Sequence, residues 1–150
     1  MQYQNGASNR DTLSSSYSGK VTGICPIGWH IPSDLDFCVF AKYLDTLAVC
    51  TSNPSSRVAG GLLKSVSSLW DIPNSGATNT SGFFALPTGY LYKDGSSNFY
   101  NQQGSRTSFW TSTEGGGNNA YARFLSTDDS FFYRNRCLKL YGVSVRCLKD

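Results

Sequence analysis

The sequence is poor in charge and lacks several features that mark common classes of protein. Lys, Arg, Asp and Glu make up 15% of its 150 residues, and the formal net charge is only +3. No run of Lys or Arg is present, which argues against a nucleic-acid surface. No apolar stretch approaches the roughly 20 residues of a membrane-spanning helix, and no signal-peptide core follows Met1. We therefore expect neither nucleic-acid binding nor insertion into a membrane.

Metal-binding patterns are also scarce. The single histidine, His30, and five cysteines without a Cys-x-x-Cys pair argue against a tetrahedral zinc site, and no cofactor is expected. The cysteines fit disulfides with one thiol left over, which indicates an oxidising compartment. Five reduced, buried thiols are the alternative. The sequence leaves open whether Cys38 and Cys50 form a bridge with each other or are buried separately.

Glycine and aromatic residues are abundant, with 15 Gly, 9 Tyr and 9 Phe. This composition is more typical of loop-rich extracellular domains than of cytosolic enzymes. Residues 1–20 read as a loose polar lead-in, and residues 21–150 suit a single domain.

The clearest helix signal begins at Ser33, a helix N-cap candidate that Asp34 and Asp36 follow in the first turn. Apolar residues then recur at helical spacing and predict a helix over residues 34–48. A second, shorter helix is expected over 57–66, weakened by two adjacent glycines. Short strands are expected at residues 21–24, 83–92, 99–100, 107–112, 120–125, 130–134 and 142–148. Two helices and many short strands predict an α+β domain.

Residues 115–141 follow neither a helical nor a strand period for long. They combine aromatic side chains with Gly, Ser, Asn and Arg, the mixture that is favoured in binding loops. A segment of this length without its own periodicity is usually functional or disordered, and its aromatic content argues against disorder. We therefore expect this segment to bind a ligand.

Five blocks of the sequence read as fixed scaffold: GICPIGWHIPS at residues 23–33, the helix that follows, SGFFALPTGY at 81–90, FWTSTE at 109–114 and GVSVRCLKD at 142–150. In this order they resemble the Fibrobacter succinogenes major paralogous domain family. One departure is Asp36-Phe37, where the family more often has Glu-Trp. The resemblance implies an α+β, C-type-lectin-like fold, in which two helices pack on short, mostly antiparallel strands with long irregular loops.

The pattern from Phe109 to Asp150 is also similar to the variable region of proteins diversified by diversity-generating retroelements. In that system the adenines of a template are randomised, so that Asn codons yield a restricted set of residues without Lys, Glu, Gln, Met or Trp. Residues 115–141 contain none of these five types except Lys139. The resemblance implies a variable region over about residues 109–142. Four residues of this region, which we call the anchor residues, are expected to be fixed and packed into the scaffold: Arg123, Leu125, Arg134 and Lys139.

The resemblance further implies that the residues around the anchor residues form an accessible ligand-binding face. The candidate ligand-binding residues are Gly115, Gly116, Asn118, Ala122, Phe124, Ser126, Asp128, Asp129, Phe131, Tyr133, Asn135, Arg136, Cys137, Leu138, Leu140 and Tyr141. The aromatic members and Arg136 are expected to supply most of the binding energy.

The same resemblance implies a location and a disulfide. The ligand would be a protein or glycan on another cell or in a host, and the domain would be extracellular, on a bacterial surface or a phage virion. Because chain ends meet in lectin-like folds, Cys25 and Cys147 are expected to bridge. Cys137 is expected to be unpaired, because it lies at a position that reads as freely varying.

Three alternatives stay open. The first is a non-diversified structural or adhesive surface domain of the same fold. The second is a calcium-dependent lectin that uses Asp128 and Asp129, although adjacent acids in a loop are more often solvated. The third is an enzyme that uses His30, although a packed or capping histidine is the simpler interpretation and no catalysis is expected. Trp29, Trp70 and Trp110 are core candidates first.

Overall fold

The computed structural model describes residues 19–94 and 97–150 of the chain. Its helices and strands are, in chain order, β1 (Trp29–His30), α1 (Asp34–Leu44), α2 (Ala59–Leu63), β2 (Tyr90–Asp94), β3 (Ser97–Asn101), β4 (Arg106–Gly116), β5 (Asn119–Ser126), β6 (Tyr133–Leu138) and β7 (Leu148–Lys149). Strands β4, β5 and β6 form an antiparallel sheet in that order, β2 pairs with β3, and β1 pairs with β7. Most of the lead-in predicted over residues 1–20 lies outside the described residues.

The predicted fold class, an α+β C-type-lectin-like fold, is wrong. Most of the regular structure is β-sheet: the two helices have 11 and 5 residues, whereas strands β4 and β5 alone have 11 and 8. The strands fall into small sheets of two or three. The described part of the chain is therefore a mainly β structure that carries two short helices.

Helix α1 begins where the sequence predicts it but ends at Leu44 instead of residue 48. The Ser33 hydroxyl accepts a hydrogen bond from the Asp36 backbone N–H, and the Asp36 carboxylate accepts one from the Ser33 N–H, which completes a capping box. Asp45 has an extended backbone, and its carboxylate accepts hydrogen bonds from the Leu47 N–H and the Ser56 hydroxyl. The bond to Leu47 is local and competes with helical ones, and the bond to Ser56 fixes Asp45 against the following loop, so the helix stops there.

Helix α2 covers Ala59–Leu63 rather than 57–66, and its glycines serve close packing. A Cβ atom on Gly60 would lie 2.1 Å from the Phe131 carbonyl oxygen, and one on Gly61 would lie 2.3 Å from the Gly76 carbonyl oxygen. Any side chain at these positions would collide with backbone. Helix α2 thus lies directly against the segment that connects β5 to β6.

Strand β5 is the central strand of its sheet and is buried on both faces. One face contributes Leu125 to the main core, and the other contributes Ala120 and Ala122 to a second cluster with Trp110. Neighbouring residues of β5 therefore lack the alternation of exposed and buried side chains that reveals a strand in a sequence. Residues 115–141 showed no lasting period for this reason, although much of the segment folds as β5 and β6.

The β1–β7 pair joins the two ends of the predicted domain. Cys25 and Cys147, the pair expected to bridge, form a disulfide with their Cα atoms 5.8 Å apart. Trp29 is 39% exposed in this small sheet, so its expected core role is wrong, whereas Trp70 and Trp110 are buried.

The other three cysteines are also accounted for. Cys38 and Cys50 form a second disulfide, which ties helix α1 to the loop that follows it. Cys137 is a free thiol, as expected, but it is buried rather than accessible as its place among the candidate ligand-binding residues implied, and burial raises its pKa to about 11. Two disulfides are consistent with an oxidising, extracellular location.

Candidate recognition surface

The anchor residue Arg123 is held by a buried ion pair. Its side chain has no exposed surface, and its Nη2 lies 2.7 Å from the Asp34 carboxylate and donates to the Asp34 carbonyl oxygen at 2.9 Å. Its Nη1 donates to the Ser55 hydroxyl at 3.0 Å. Burial lowers the pKa of Arg123, and the Asp34 carboxylate opposes that shift. The Asp34 carboxylate also accepts a hydrogen bond from the Nε of a second anchor residue, Arg134, at 2.7 Å.

The remaining two anchor residues also pack into the scaffold. Leu125 has no exposed surface and belongs to the main core. Lys139 forms an ion pair with Glu114, whose carboxylate oxygen lies 2.6 Å from the Lys139 Nζ. The prediction that all four anchor residues contact the scaffold is confirmed.

Two adjoining clefts are lined in part by residues that lie between the anchor residues in the sequence. The first cleft, of about 310 Å³, is lined by Asn53, Arg106, Phe124, Leu125, Ser126, Asp128, Asp129, Tyr133 and Asn135. The second cleft, of about 250 Å³, is lined by Tyr90, Arg106, Asn119, Phe124, Arg136, Cys137, Leu138 and Tyr141. Both clefts share Arg106 and Phe124, so they form one continuous surface, which we call the recognition surface.

The first cleft is polar. The Tyr133 hydroxyl donates a hydrogen bond to the Asp129 carboxylate at 2.6 Å, and the Ser126 hydroxyl donates one to Asp128 at 3.1 Å. Burial, together with the hydrogen bond to Asp129, raises the pKa of Tyr133 to about 12. The phenol stays protonated at neutral pH, and the carboxylates of Asp128 and Asp129 line the same cleft as Arg106.

The second cleft is aromatic. The Tyr141 ring stacks on Tyr90 with centroids 6.1 Å apart and contacts Tyr92 at 5.0 Å. Burial and the neighbouring Tyr92 raise the pKa of Tyr141. Backbone hydrogen bonds between Leu91 and Gly142 hold the hairpin of β2 and β3 beside Tyr141. Rings fixed in this way offer contact area at little cost in conformational entropy.

The structure separates the candidate ligand-binding residues into three groups. The exposed ones are Gly116, Asn118, Asp128, Asn135, Arg136 and Leu140. The half-buried ones are Phe124, Asp129, Phe131, Tyr133, Leu138 and Tyr141. The buried ones are Gly115, Ala122, Ser126 and Cys137. The expected accessibility of Ala122 and Ser126 is wrong, because β5 is a central strand with a core on each face.

Sequence reasoning missed Lys64, which supports the recognition surface from below. Its Nζ donates hydrogen bonds to the carbonyl oxygens of Ser75, Ser126 and Asp129, at 3.0, 2.7 and 2.8 Å, and the residue has no exposed surface. Burial lowers the pKa of Lys64 to about 8, although the carboxylates of Asp129 and Asp128 oppose the shift. A lone lysine in a helix candidate carries no sequence signal for this role.

The reasoning also missed side chains that reach the surface from outside residues 115–141. Arg106 stands at the start of β4, Asn53 in the loop after α1, and Tyr90 in β2. Strand pairing brings Arg106 to the clefts, and a hydrogen bond from the Arg134 N–H to the Asn53 amide oxygen holds Asn53 there. Contacts between such distant parts of the chain leave no motif in the sequence.

His30 has a structural partner, and the described residues form no metal site. The buried His30 ring places its Nδ1 2.7 Å from the Asp150 carboxylate, as befits a packed histidine. Within residues 19–94 and 97–150, no group of three or more His, Cys, Asp or Glu side chains is arranged to hold a metal ion. No helix in the same ranges is long and apolar enough to cross a membrane.

Comparison with known proteins gives one match. The family model described as the Fibrobacter succinogenes major domain matches residues 1–149. No curated protein and no solved structure matches the chain.

Proposed function

Because the chain belongs to the Fibrobacter succinogenes major domain family, we propose that it is a ligand-binding domain of the receptor or adhesin type. Its ligand is a protein or glycan on another cell or in a host. The domain is displayed outside the cell, on a bacterial surface or a phage virion. The side chains of the recognition surface that come from residues 115–141, other than the anchor residues, are diversified by a retroelement, and binding requires no catalysis.

One observation carries this proposal: anchor residues and surface residues are interleaved along the same stretch of chain. Arg123 and Leu125 have no exposed surface, while Phe124 between them lines both clefts. Arg134 is paired with Asp34, while its neighbour Asn135 is exposed and lines the first cleft. A scaffold of this kind keeps its backbone while the side chains between the anchor residues change.

The recognition surface also has the chemistry of a binding site. Half-buried rings such as Phe124, Tyr133 and Tyr141 give apolar contact area, and exposed polar groups surround them. Interfaces draw most of their energy from a few such aromatic and arginine side chains. The polar and aromatic clefts together suit a ligand that carries both hydrogen-bonding groups and an apolar moiety.

The test is a set of substitutions drawn from residues that a randomised Asn codon encodes. Asp128→Gly, Asn135→Tyr, Arg136→Ser and Leu140→Ser, combined in one variant, should shift Tm by a few degrees only, because exposed positions change stability by about 0.5 kcal/mol or less each. The panel of cells or glycans that the domain binds should change. Loss of folding in this variant, or an unchanged binding profile, would contradict the proposal.

A second candidate is a non-diversified adhesive domain, and the buried candidate positions favour it. Gly115, Ala122, Ser126 and Cys137 tolerate few of the residues that randomisation produces. The coding DNA separates the two candidates. A nearby near-copy that differs almost only at template adenines, beside a reverse transcriptase gene, supports diversification, and its absence supports the second candidate.

A further inference from the structure

Three arginines share one face of the β5–β6 ladder. Arg123 pairs directly with Arg134, and Tyr121 pairs directly with Arg136. Directly opposed residues of an antiparallel pair project to the same face, and so do residues two positions apart along a strand. The face therefore carries two successive rows: an inner row of two arginines, and an outer row of Tyr121 and Arg136.

The inner row shows how this face accommodates like charges. Two opposed arginines repel each other, and the Asp34 carboxylate lies between them. One of its oxygens lies 2.7 Å from Arg123 Nη2, and the other lies 2.7 Å from Arg134 Nε. A single carboxylate, with one oxygen on each guanidinium, thus bridges the two arginines.

The outer row adds a third guanidinium, that of Arg136, next to the Tyr121 ring. The Arg134 guanidinium lies 3.8 Å from the Tyr121 ring centroid, and the Arg136 guanidinium lies 5.9 Å from it. Arg136 is exposed and makes no ion pair with any described residue. Hydrogen bonding to Arg136 and to Arg134 lowers the pKa of Tyr121, and burial opposes that shift. Asp34 thus pairs with Arg123 and Arg134, and Arg136 adds a third positive charge to this face.

We propose that Arg136 of the outer row, together with the neighbouring guanidinium of Arg134 beside Tyr121, binds a carboxylate group of the ligand. The ligand carboxylate would bridge Arg134 and Arg136, which lie two residues apart on the same face of β6, much as Asp34 bridges Arg123 and Arg134 across the two strands. Tyr121 holds the Arg134 guanidinium by its ring face, so the site needs little reorganisation. This inference rests on the proposed function, because Arg136 also lines the recognition surface. An acidic side chain of a protein and an acidic sugar both supply this chemistry.

The closing experiment titrates the ¹⁵N-labelled domain with sodium acetate and follows the arginine Nε–H signals by NMR. Sodium chloride at matched ionic strength is the salt control. We expect saturable shifts at Arg134 and Arg136, and an affinity about tenfold weaker or worse in Arg136→Gln, because that variant loses a charge-assisted hydrogen bond. Arg57→Gln, which removes an exposed arginine outside the clefts, should bind acetate like the unmodified domain.

Shifts that sodium chloride reproduces, or acetate binding that survives in Arg136→Gln, would overturn the inference. Folding of each variant is checked by its amide spectrum, and Arg136→Lys serves as a second variant that keeps the charge but loses the bidentate geometry. N-acetyl-aspartate amide and glucuronate then distinguish a peptide source from a sugar source by their relative affinities. Acetate binding needs no biological partner, so its failure is distinct from a failure of the substitution test of the proposed function.

Discussion

Strands β5 and β6 come from the same segment and lie side by side in one sheet, yet they present different surfaces. In β5, Ala122 and Arg123 have no exposed surface. Their cross-strand partners in β6 are Asn135 and Arg134, of which the first is exposed and the second half-buried. The central strand has a core on each face and the edge strand does not, so position in the sheet decides which residues are free to vary.

The segment between the two strands is intermediate. Thr127 and Phe132 at its ends are buried, Asp128 is exposed and the other three residues are half-buried. Its backbone is held from below by the Lys64 ammonium group and by close contact with the glycines of α2. Support of the backbone by buried groups leaves the side chains of Asp128 and Phe131 available to a ligand. The following predictions test this gradient from central strand to edge strand.

The largest effect is expected from removing the central arginine. Arg123→Ala leaves the Asp34 carboxylate in a buried site with one partner fewer, and breaking a buried pair in this way costs about 3–5 kcal/mol. Arg136→Ala in the edge strand should change the free energy of unfolding by about 0.5 kcal/mol or less. Urea unfolding of both variants measures the two changes in the free energy of unfolding. Equal losses in the two variants would show that the strands do not differ as described.

Lys64 should give the domain an unusual rise in stability with pH. Its folded pKa is about 8 and its unfolded value is 10.5, so between these values the unfolded chain binds more protons. Stability from this group is therefore present above pH 10.5 and is lost as the pH falls through 8, with an upper limit of about 3 kcal/mol. The free energy of unfolding of the wild type minus that of Lys64→Met should increase as the pH rises from 8 to 10.5.

The control for the Lys64 measurement is Lys42→Met, which removes an exposed lysine of α1. This variant should follow the wild-type pH dependence. Tyrosines also ionise in this range, but they are present in every variant and cancel in the difference. A flat difference between wild type and Lys64→Met would mean that Lys64 titrates as it does in water, and that it does not hold the β5–β6 connection as a buried cation.

A matched pair of tyrosine substitutions sharpens the comparison within a single row of the sheet. Ala122 and Asn135 are directly opposed. Ala122→Tyr forces a ring into a filled core and should cost about 1–3 kcal/mol, whereas Asn135→Tyr adds a ring at the exposed edge and should be nearly neutral. The melting temperatures of the two variants measure this difference in stability. If Ala122→Tyr were as stable as the wild type, Ala122 would be free to vary and would belong with the accessible candidate ligand-binding residues.

Local features of the fold were predictable from the sequence, whereas its class was not. The Ser33 and Asp36 cap sets the start of α1 through bonds three residues apart, and such bonds are visible in a sequence. The end of α1 depends on a contact between Asp45 and Ser56, and the length of α2 on packing of Gly60 against Phe131. Contacts of this kind join distant parts of the chain, so the helices were predicted too long and the helical content too high.

The candidate site shows the same division. The spacing of the anchor residues was predictable because a resemblance supplied it, and Arg123 and Lys139 do contact the scaffold. Arg106 and Lys64 were missed because no motif marks them. Strand pairing brings Arg106 into the clefts, and helix packing places Lys64 beneath them. Burial of Ala122 was missed because it depends on the order of the strands in the sheet.

The smallest effect is expected at Cys137, the one buried residue of the edge strand. It packs with Trp110 and Ala120 on the inner side of β6, so Cys137→Ser should cost only about 1 kcal/mol. Burial raises its pKa to about 11, which leaves roughly one thousandth of the thiol ionised at pH 8. The other cysteines are in disulfides, so iodoacetamide should label the native domain at pH 8 far more slowly than the domain in urea. Labelling at equal rates would mean that β6 is open on both faces, and the contrast between the two strands would then lie in their sequences rather than in their places in the sheet.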